Sequence, residues 1–277
     1  MIRDSLQRHP LLVFFALAFG ISWGAILTIM ASRGFDLSPL QSVEGGLLFL
    51  AMLLGPCISG LACTALFDGR SGLRALGQQA LYWRVAAVWY VVALLTVPAI
   101  LLVLLSLLSA LVDPIFAPRF QWWLFGLGLL AGTFEEIGWT GFATPRLLAG
   151  KSLTVAGLSL GCIWALWHLL VDFRYNAGAM GLVWPLEFAI TYLLALTPYR
   201  LLMTWVYGHT QSLLLAILMH ASFTGSLLVF VPVVPASLGF YWQSAFAVAL
   251  WAVVAIVLRK GRTSTPGHIP LKKELQP

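Results

Sequence analysis

Charge is what this sequence has least of. Of its 277 residues, 9% are charged and 60% are hydrophobic, with a mean hydropathy of +0.92. A soluble domain carries about 25% charged residues, so this composition excludes a soluble fold. Inside a bilayer, only helices and closed barrels satisfy the backbone hydrogen bonds. Because the apolar runs are continuous and lack the alternation of barrel strands, they predict an all-α polytopic membrane protein.

Cysteine is also scarce. The three cysteines, Cys57, Cys63 and Cys162, lie in apolar segments and show no paired spacing. They therefore indicate neither a disulfide framework nor a zinc ribbon. The net charge of +6 comes from basic residues at the ends of apolar segments, which is typical of membrane proteins. The expected partner is the lipid bilayer, and no nucleic acid is expected.

The apolar runs divide the chain into eight candidate spans around a central polar cavity. Each is long enough to cross about 30 Å of hydrocarbon. The predicted spans cover residues 11–31, 45–67, 85–112, 121–145, 153–173, 184–207, 212–231 and 238–258. We divide the chain into three N-terminal spans at 1–110, a five-span core at 111–258 and a basic tail at 259–277.

Basic residues predict the orientation of these spans. With the N-terminus inside, the outer loops hold only Arg33, Arg119 and Arg174, whereas twelve basic residues lie in cytoplasmic segments. The twelve are Arg3, Arg8, Arg70, Arg74, Arg84, Arg146, Lys151, Arg259, Lys260, Arg262, Lys272 and Lys273. The positive-inside rule then places both termini in the cytoplasm. We expect an integral protein of a bacterial plasma membrane, with residues 68–84 lying on its inner surface.

Two adjacent glutamates, Glu135 and Glu136, stand within the fourth span. A charged side chain at the centre of a membrane helix costs roughly 2.5–3.5 kcal/mol, so such residues usually have a function. Neighbours on a helix point about 100° apart, so one carboxylate can line a wet pocket while the other faces a neighbouring helix. The pair is a candidate general base with a supporting partner. The alternative is a structural pair that is hydrogen-bonded to neighbouring helices.

Two histidines lie in later spans. His168 has Asp172 one turn after it, so Asp172 could accept a hydrogen bond and orient the ring. His220 has Thr224 one turn after it. Taken alone, either histidine could be a hydrogen-bonding residue of helix packing. Arg200 and Glu187 are further ionisable residues within the spans.

Small residues lead into the glutamates. Gly128 and Gly132 form a small-xxx-small pair, which predicts close approach of another helix.

Three stretches of the second half resemble a known family. The stretches "EEIGWTGFATPRL", "WALWH" and "RLLMTWVYGHTQSLLLAILMHASFTGS" are similar to three blocks of the CAAX-processing and bacteriocin-processing (CPBP, or Abi) intramembrane proteases. The resemblance covers residues 120–230. The family blocks are Glu-Glu-x-x-x-Arg, aromatic-x-x-x-His and His-x-x-x-Asn. Their functional positions fall on Glu135, Glu136, Trp164, His168 and His220.

This resemblance implies a mechanism and a shape. It implies that Glu135 and His168 activate water while His220 helps to hold the oxyanion. It also implies an eight-helix fold with a cavity that opens toward the cytoplasm.

The sequence departs from the family pattern at two positions. Thr140 stands where the family has arginine, and Thr224 stands where it has asparagine. The missing arginine would lie four residues after Glu136, at ion-pair spacing. We predict that Arg200 supplies the missing charge from another helix; the alternative is that it extends to the membrane surface. Thr224 can still donate one hydrogen bond to an oxyanion.

We therefore predict an intramembrane endopeptidase that acts on a membrane-associated peptide or protein. Family members are often called metalloproteases, and Glu135, His168 and His220 would form a three-ligand set for a divalent metal such as zinc. Since no HExxH spacing is present, a metal-free glutamate mechanism is favoured and the cofactor is left open. The alternatives are a catalytically impaired scaffold or bacteriocin-immunity protein, and a proton-coupled transporter. The sequence shows no internal repeat to support a transporter.

Overall fold

The computed structural model describes residues 8–38 and 42–263, and helix is the regular structure found throughout them. The predicted all-α fold is confirmed. Residues 264–277, most of the predicted basic tail, lie outside the described part. The α-helices are α1 (Pro10–Ser32), α2 (Ser42–Ala80), α3 (Ala87–Leu111), α4 (Phe125–Gly138), α5 (Thr144–Gly150), α6 (Leu153–Trp167), α7 (Leu169–Met180), α8 (Trp184–Phe188), α9 (Ala195–Thr210), α10 (Leu213–Phe230) and α11 (Ala236–Thr263).

Six helices of the described chain are long and apolar enough to cross a membrane. They support an integral membrane protein, but the predicted count of eight spans is not confirmed. The two predicted spans that do not qualify are 121–145 and 153–173. The first is divided among α4, a π-helical segment and α5, and the second is interrupted at His168, between α6 and α7.

α4 and α10 pack at backbone distance. A Cβ atom on Gly128 would lie 2.4 Å from the backbone nitrogen of Gly225, and one on Gly132 would lie 2.4 Å from the carbonyl oxygen of Ile217. The predicted close approach through the small-residue pair is confirmed. The contact brings the glutamates of α4 next to the helix that carries His220.

π-helical turns flank the site. One covers Trp139–Ala143, directly after the glutamates, and another covers Ala189–Leu194, between α8 and α9. A π-helical turn is wider than an α-helical turn and often occurs at functional sites. The first turn places the Thr140 hydroxyl where it donates to Glu136.

α2 changes direction at Gly69, whose φ of 64° and ψ of −155° are helix-breaking. Glycine is the residue that adopts this conformation most readily. The part after the kink is largely exposed and carries Arg70 and Arg74. Its predicted position on the inner membrane surface remains a prediction.

Candidate active site

A cavity of about 250 Å³ lies within the bundle, and its walls are mainly aromatic and aliphatic. Four residues predicted from the sequence line it: Glu135, His168, His220 and Thr224. The other lining residues are Phe49, Met52, Ala131, Trp164, Val171, Tyr175, Thr191, Tyr192, Ala195, Leu196, Phe223, Leu227, Trp242, Gln243 and Phe246. The fold therefore brings the residues of three separate sequence blocks to one cavity.

The two glutamates have different surroundings. Glu135 lines the cavity, and its Oε2 accepts a hydrogen bond of 3.1 Å from the Trp164 indole. Glu136 is fully buried and lies behind the cavity wall. The predicted division, with one carboxylate on a pocket and the other turned toward neighbouring helices, is confirmed.

Glu136 is held by three side chains. Arg200 donates to both of its oxygens, at 2.7 and 2.8 Å. His220 Nδ1 lies 2.6 Å from its Oε1, and the Thr140 hydroxyl donates to its Oε2. The prediction that Arg200 replaces the missing family arginine from another helix is confirmed, and the alternative that it extends to the membrane surface is wrong. Bidentate pairing of this kind is strong and directional.

The contact with Glu136 determines how His220 can act. A carboxylate accepts hydrogen bonds, so Nδ1 of His220 carries the proton of this contact. The ring lines the cavity, which leaves Nε2 for a ligand there. Glu136 thus fixes the ring in one orientation.

His168 is oriented by the backbone and not by Asp172. Its Nδ1 lies 2.8 Å from the Trp164 carbonyl oxygen, which accepts and therefore makes Nδ1 the protonated nitrogen. Nε2 of a neutral ring then keeps its lone pair. Asp172 accepts from Asn176 at 2.6 Å and from Trp184 at 2.7 Å. The predicted orientation of His168 by Asp172 is wrong, because this carboxylate is engaged by α7 and α8.

Trp164 connects these groups. Its ring centroid lies 5.5 Å from that of His168 and 5.2 Å from that of His220. The Arg200 guanidinium carbon lies 4.1 Å from the ring centroid, within cation–π distance. The resemblance placed Trp164 at the aromatic position of the second family block, but it did not indicate the contacts that this residue makes. Trp164 holds Glu135 by its indole N–H while its faces separate the cation from the cavity.

Gln243 is a residue of the cavity that the sequence did not reveal. Its Nε2 donates to Glu187 Oε1 at 3.2 Å, and Thr191 donates to the same oxygen at 2.9 Å. The carboxylate needs donors, so the amide nitrogen must face it. The Gln243 carbonyl oxygen is then buried with no hydrogen-bond partner among the described residues, on a side chain that lines the cavity.

The three residues of the alternative metal set, Glu135, His168 and His220, all line the cavity. Within residues 8–38 and 42–263, no group of three or more His, Cys, Asp or Glu side chains is placed to hold a metal ion. The hydrogen bonds to Trp164 and Glu136 use Oε2 of Glu135 and Nδ1 of both histidines. They leave Oε1 of Glu135 and Nε2 of each ring unused, so the choice between a metal site and a metal-free site stays a prediction.

Comparison with known proteins agrees with this geometry. Residues 117–226 match the family model described as "Type II CAAX prenyl endopeptidase Rce1-like". The resemblance seen in the motifs is confirmed. The match includes Glu135, Glu136, Trp164, His168 and His220, and is consistent with the CPBP family.

A curated protein of Methanococcus maripaludis, "CAAX prenyl protease 2", is similar to part of this chain. It is 33% identical over 97 residues, which cover 33% of this chain and 35% of that protein. The chain thus matches about a third of the length of this relative.

Proposed function

We propose that this chain is an intramembrane endopeptidase of the CAAX-protease type. The observation that supports it is the convergence of Glu135, His168, His220 and Thr224 on one cavity, with Glu136 neutralised behind them. The similarity to the Rce1-like model and to a protein named as a prenyl protease supports the same reaction class.

Glu135 is the proposed general base. Its Oε2 is held by the Trp164 indole, which leaves Oε1 for a water molecule in the cavity. The second glutamate cannot take this role, because Arg200, His220 and Thr140 occupy both of its oxygens. A base in hydrogen-bond reach of water is the first requirement for proton abstraction.

The proposed reaction is hydrolysis of a peptide bond. The water oxygen bonds to the scissile carbonyl carbon while its proton passes to Glu135. His168 Nε2 accepts a second hydrogen bond from the water and orients it. The tetrahedral intermediate then breaks the C–N bond, and the proton on Glu135 passes to the departing nitrogen, which restores the base.

His220 and Thr224 are the proposed oxyanion donors. They lie one helical turn apart on α10 and both line the cavity. Donation from Nε2 of His220, while Nδ1 donates to Glu136, requires the doubly protonated ring, which the hydrogen bond to the Glu136 carboxylate stabilises. Loss of one oxyanion donor typically lowers kcat by roughly 10²–10³.

The proposed substrate is a membrane-associated peptide or protein. The cavity wall is largely apolar, which suits hydrophobic residues on either side of the cleaved bond. The unpartnered Gln243 carbonyl oxygen can accept a hydrogen bond from a peptide N–H. This acceptor would position an extended segment relative to Glu135.

The departures from the family pattern do not remove any of these functions. Arg200 supplies the charge that Thr140 does not carry, and Thr224 keeps a donor on the cavity wall. The structure therefore offers no specific support for an impaired scaffold.

The test is a comparison of cleavage products. Membranes containing the purified chain, or its Glu135→Gln variant, are supplied with membrane peptides, and new N-termini are identified by mass spectrometry. We expect products with the parent and none with Glu135→Gln, which is nearly isosteric and removes the base. Asp68→Asn is the matched control, because Asp68 pairs with Arg146 in a partly exposed bridge and does not line the cavity.

Two results would contradict the proposal. Equal rates for Glu135→Gln and the parent would show that Glu135 is not the base. No product from the parent, in a preparation whose melting curve shows a folded protein, would favour a scaffold or immunity role.

A further inference from the structure

The cavity lies in one half of the bundle. α10 runs from Leu213 to Phe230, and its lining residues extend from His220, near the middle of the helix, to Leu227, near its end. α11 begins at Ala236 and runs in the opposite direction, and its lining residues fall between Trp242 and Phe246, in its first half. Both helices place the cavity near the 230–236 connection.

The other helices agree. On α2, which begins at Ser42, the lining residues are Phe49 and Met52. On α4, Glu135 is ten residues from the start at Phe125, which is about 15 Å of helix. All these helix ends belong to one end of the bundle, which also contains residues 33–38 and the 112–124 and 181–183 connections. We call it the cavity end.

The basic residues concentrate at the opposite end. That end contains the start of α1, the 81–86, 151–152 and 211–212 connections and the end of α11. Nine basic residues of the described chain belong to it: Arg8, Arg70, Arg74, Arg84, Arg146, Lys151, Arg259, Lys260 and Arg262. The cavity end has three, and two of these, Arg33 and Arg174, are paired with Glu44 at 2.6 and 2.8 Å.

Two expectations from the sequence are therefore incompatible in this fold. The positive-inside rule places the basic end in the cytoplasm, whereas the family resemblance implies a cavity open toward the cytoplasm. Since the cavity and the basic charge lie at opposite ends, only one of the two can hold. Among the described residues the bias is nine against three, and these basic residues lie near span ends, where the rule applies best.

We propose that the cavity opens on the non-cytoplasmic face of the membrane. Resting on the proposed function, this makes the substrate a peptide segment that reaches Glu135 from outside the cytoplasm. The chemical class follows from the cavity wall: an apolar segment of an exported or membrane-inserted polypeptide, cleaved within about 15 Å of the outer helix ends. Segments confined to the cytoplasm would not reach the site.

Thiol labelling tests the proposal without any need for activity. In the full chain, Cys57, Cys63 and Cys162 are replaced by alanine, and single cysteines are introduced by four substitutions. A membrane-impermeant sulfonated maleimide is applied to intact bacterial cells and to inverted membrane vesicles. The variants are Val112→Cys at the cavity end, Lys151→Cys at the basic end, Leu227→Cys in the cavity and Leu228→Cys as its matched control.

The positions of Leu227→Cys and its control Leu228→Cys lie at about the same depth in the membrane but have different surroundings. Leu227 lines the cavity, three residues before the end of α10. Leu228 is its neighbour in the chain and is exposed on the outside of the bundle, where it faces lipid. Val112 and Lys151 are both exposed, so their thiols report orientation alone.

In intact cells we expect labelling of Val112→Cys and Leu227→Cys, at least tenfold above Leu228→Cys and Lys151→Cys. In inverted vesicles Lys151→Cys becomes the labelled site. Labelling of Lys151→Cys but not of Val112→Cys in intact cells would show that the basic end faces outward, and it would overturn the proposed orientation. Labelling of Leu227→Cys only in inverted vesicles, or from neither side, would overturn the outward opening. Since no outcome depends on cleavage, failure here is distinct from failure of the protease proposal.

Discussion

Replacing Arg200 by methionine probes the buried ion pair behind the active site. Arg200 and Glu136 are both fully buried and joined by two hydrogen bonds. Methionine keeps much of the side-chain volume and removes the charge. Glu136 would then retain only His220 and Thr140 as partners. Breaking a buried pair by removing one partner typically costs about 3–5 kcal/mol.

This loss of stability corresponds to a measurable fall in Tm. One kcal/mol corresponds to about 2–4 °C in Tm for chains of this order of size, so Arg200→Met should lower Tm by roughly 6–20 °C. Melting is followed in detergent or nanodiscs by the near-ultraviolet signal of the buried tryptophans. Arg74→Met is the control for the substitution itself, since Arg74 is exposed and should change stability by less than about 0.5 kcal/mol.

A double variant separates the charge from the packing. Adding Glu136→Gln to Arg200→Met removes the uncompensated carboxylate, so it should recover part of the lost Tm. Thr140→Arg, which restores an arginine on the same helix, should also recover part of it. If Arg200→Met melts within about 1 °C of the parent, or if neither second change recovers any Tm, the reasoning on this pair is wrong.

Three further predictions concern the site and its packing. Trp164→Phe keeps a ring but loses the indole donor to the base, so kcat should fall by roughly 10–100-fold with little change in Tm, and an unchanged kcat would refute the positioning role. Gly132→Ala should lower stability by about 1–3 kcal/mol, because its methyl would lie 2.4 Å from a carbonyl oxygen of α10. Gly126→Ala has open space around it, so it should not destabilise, and equal losses would contradict the packing argument. We expect purified protein to lack stoichiometric zinc; elemental analysis that finds about one zinc per chain, lost in His168→Ala and His220→Ala, would restore the metal alternative.

The sequence predicted best those features that depend on composition and spacing. Apolar runs located the helices, because burial in lipid requires every backbone group to be paired locally. The 100° offset of neighbours predicted the different surroundings of Glu135 and Glu136. The missing arginine at Thr140 pointed to Arg200, because a buried carboxylate needs a counter-charge and few intramembrane cations were available.

The sequence did not predict features that depend on where a helix ends or on how it is rotated about its axis. His168 lies at the break between α6 and α7, so its partner is the Trp164 carbonyl and not Asp172. Gln243 is an ordinary polar residue in the sequence, and only its contact with Glu187 makes it an acceptor on the cavity. The proposal that the cavity opens on the non-cytoplasmic face also depends on the directions of the helices. The spacing of the motifs in the sequence does not indicate how deep in the membrane each residue lies.

The distance along the chain between Glu136 and Arg200 has a consequence for biosynthesis. The two partners are 64 residues apart, and the acidic one is synthesised first. At about 5–20 residues per second, α4 waits roughly 3–13 s before its cation emerges from the ribosome. During that time its carboxylates oppose entry into lipid by roughly 2.5–3.5 kcal/mol each. We expect α4 to remain beside the insertion machinery until α9 arrives, so the two segments enter the bilayer together with Glu136 already paired to Arg200.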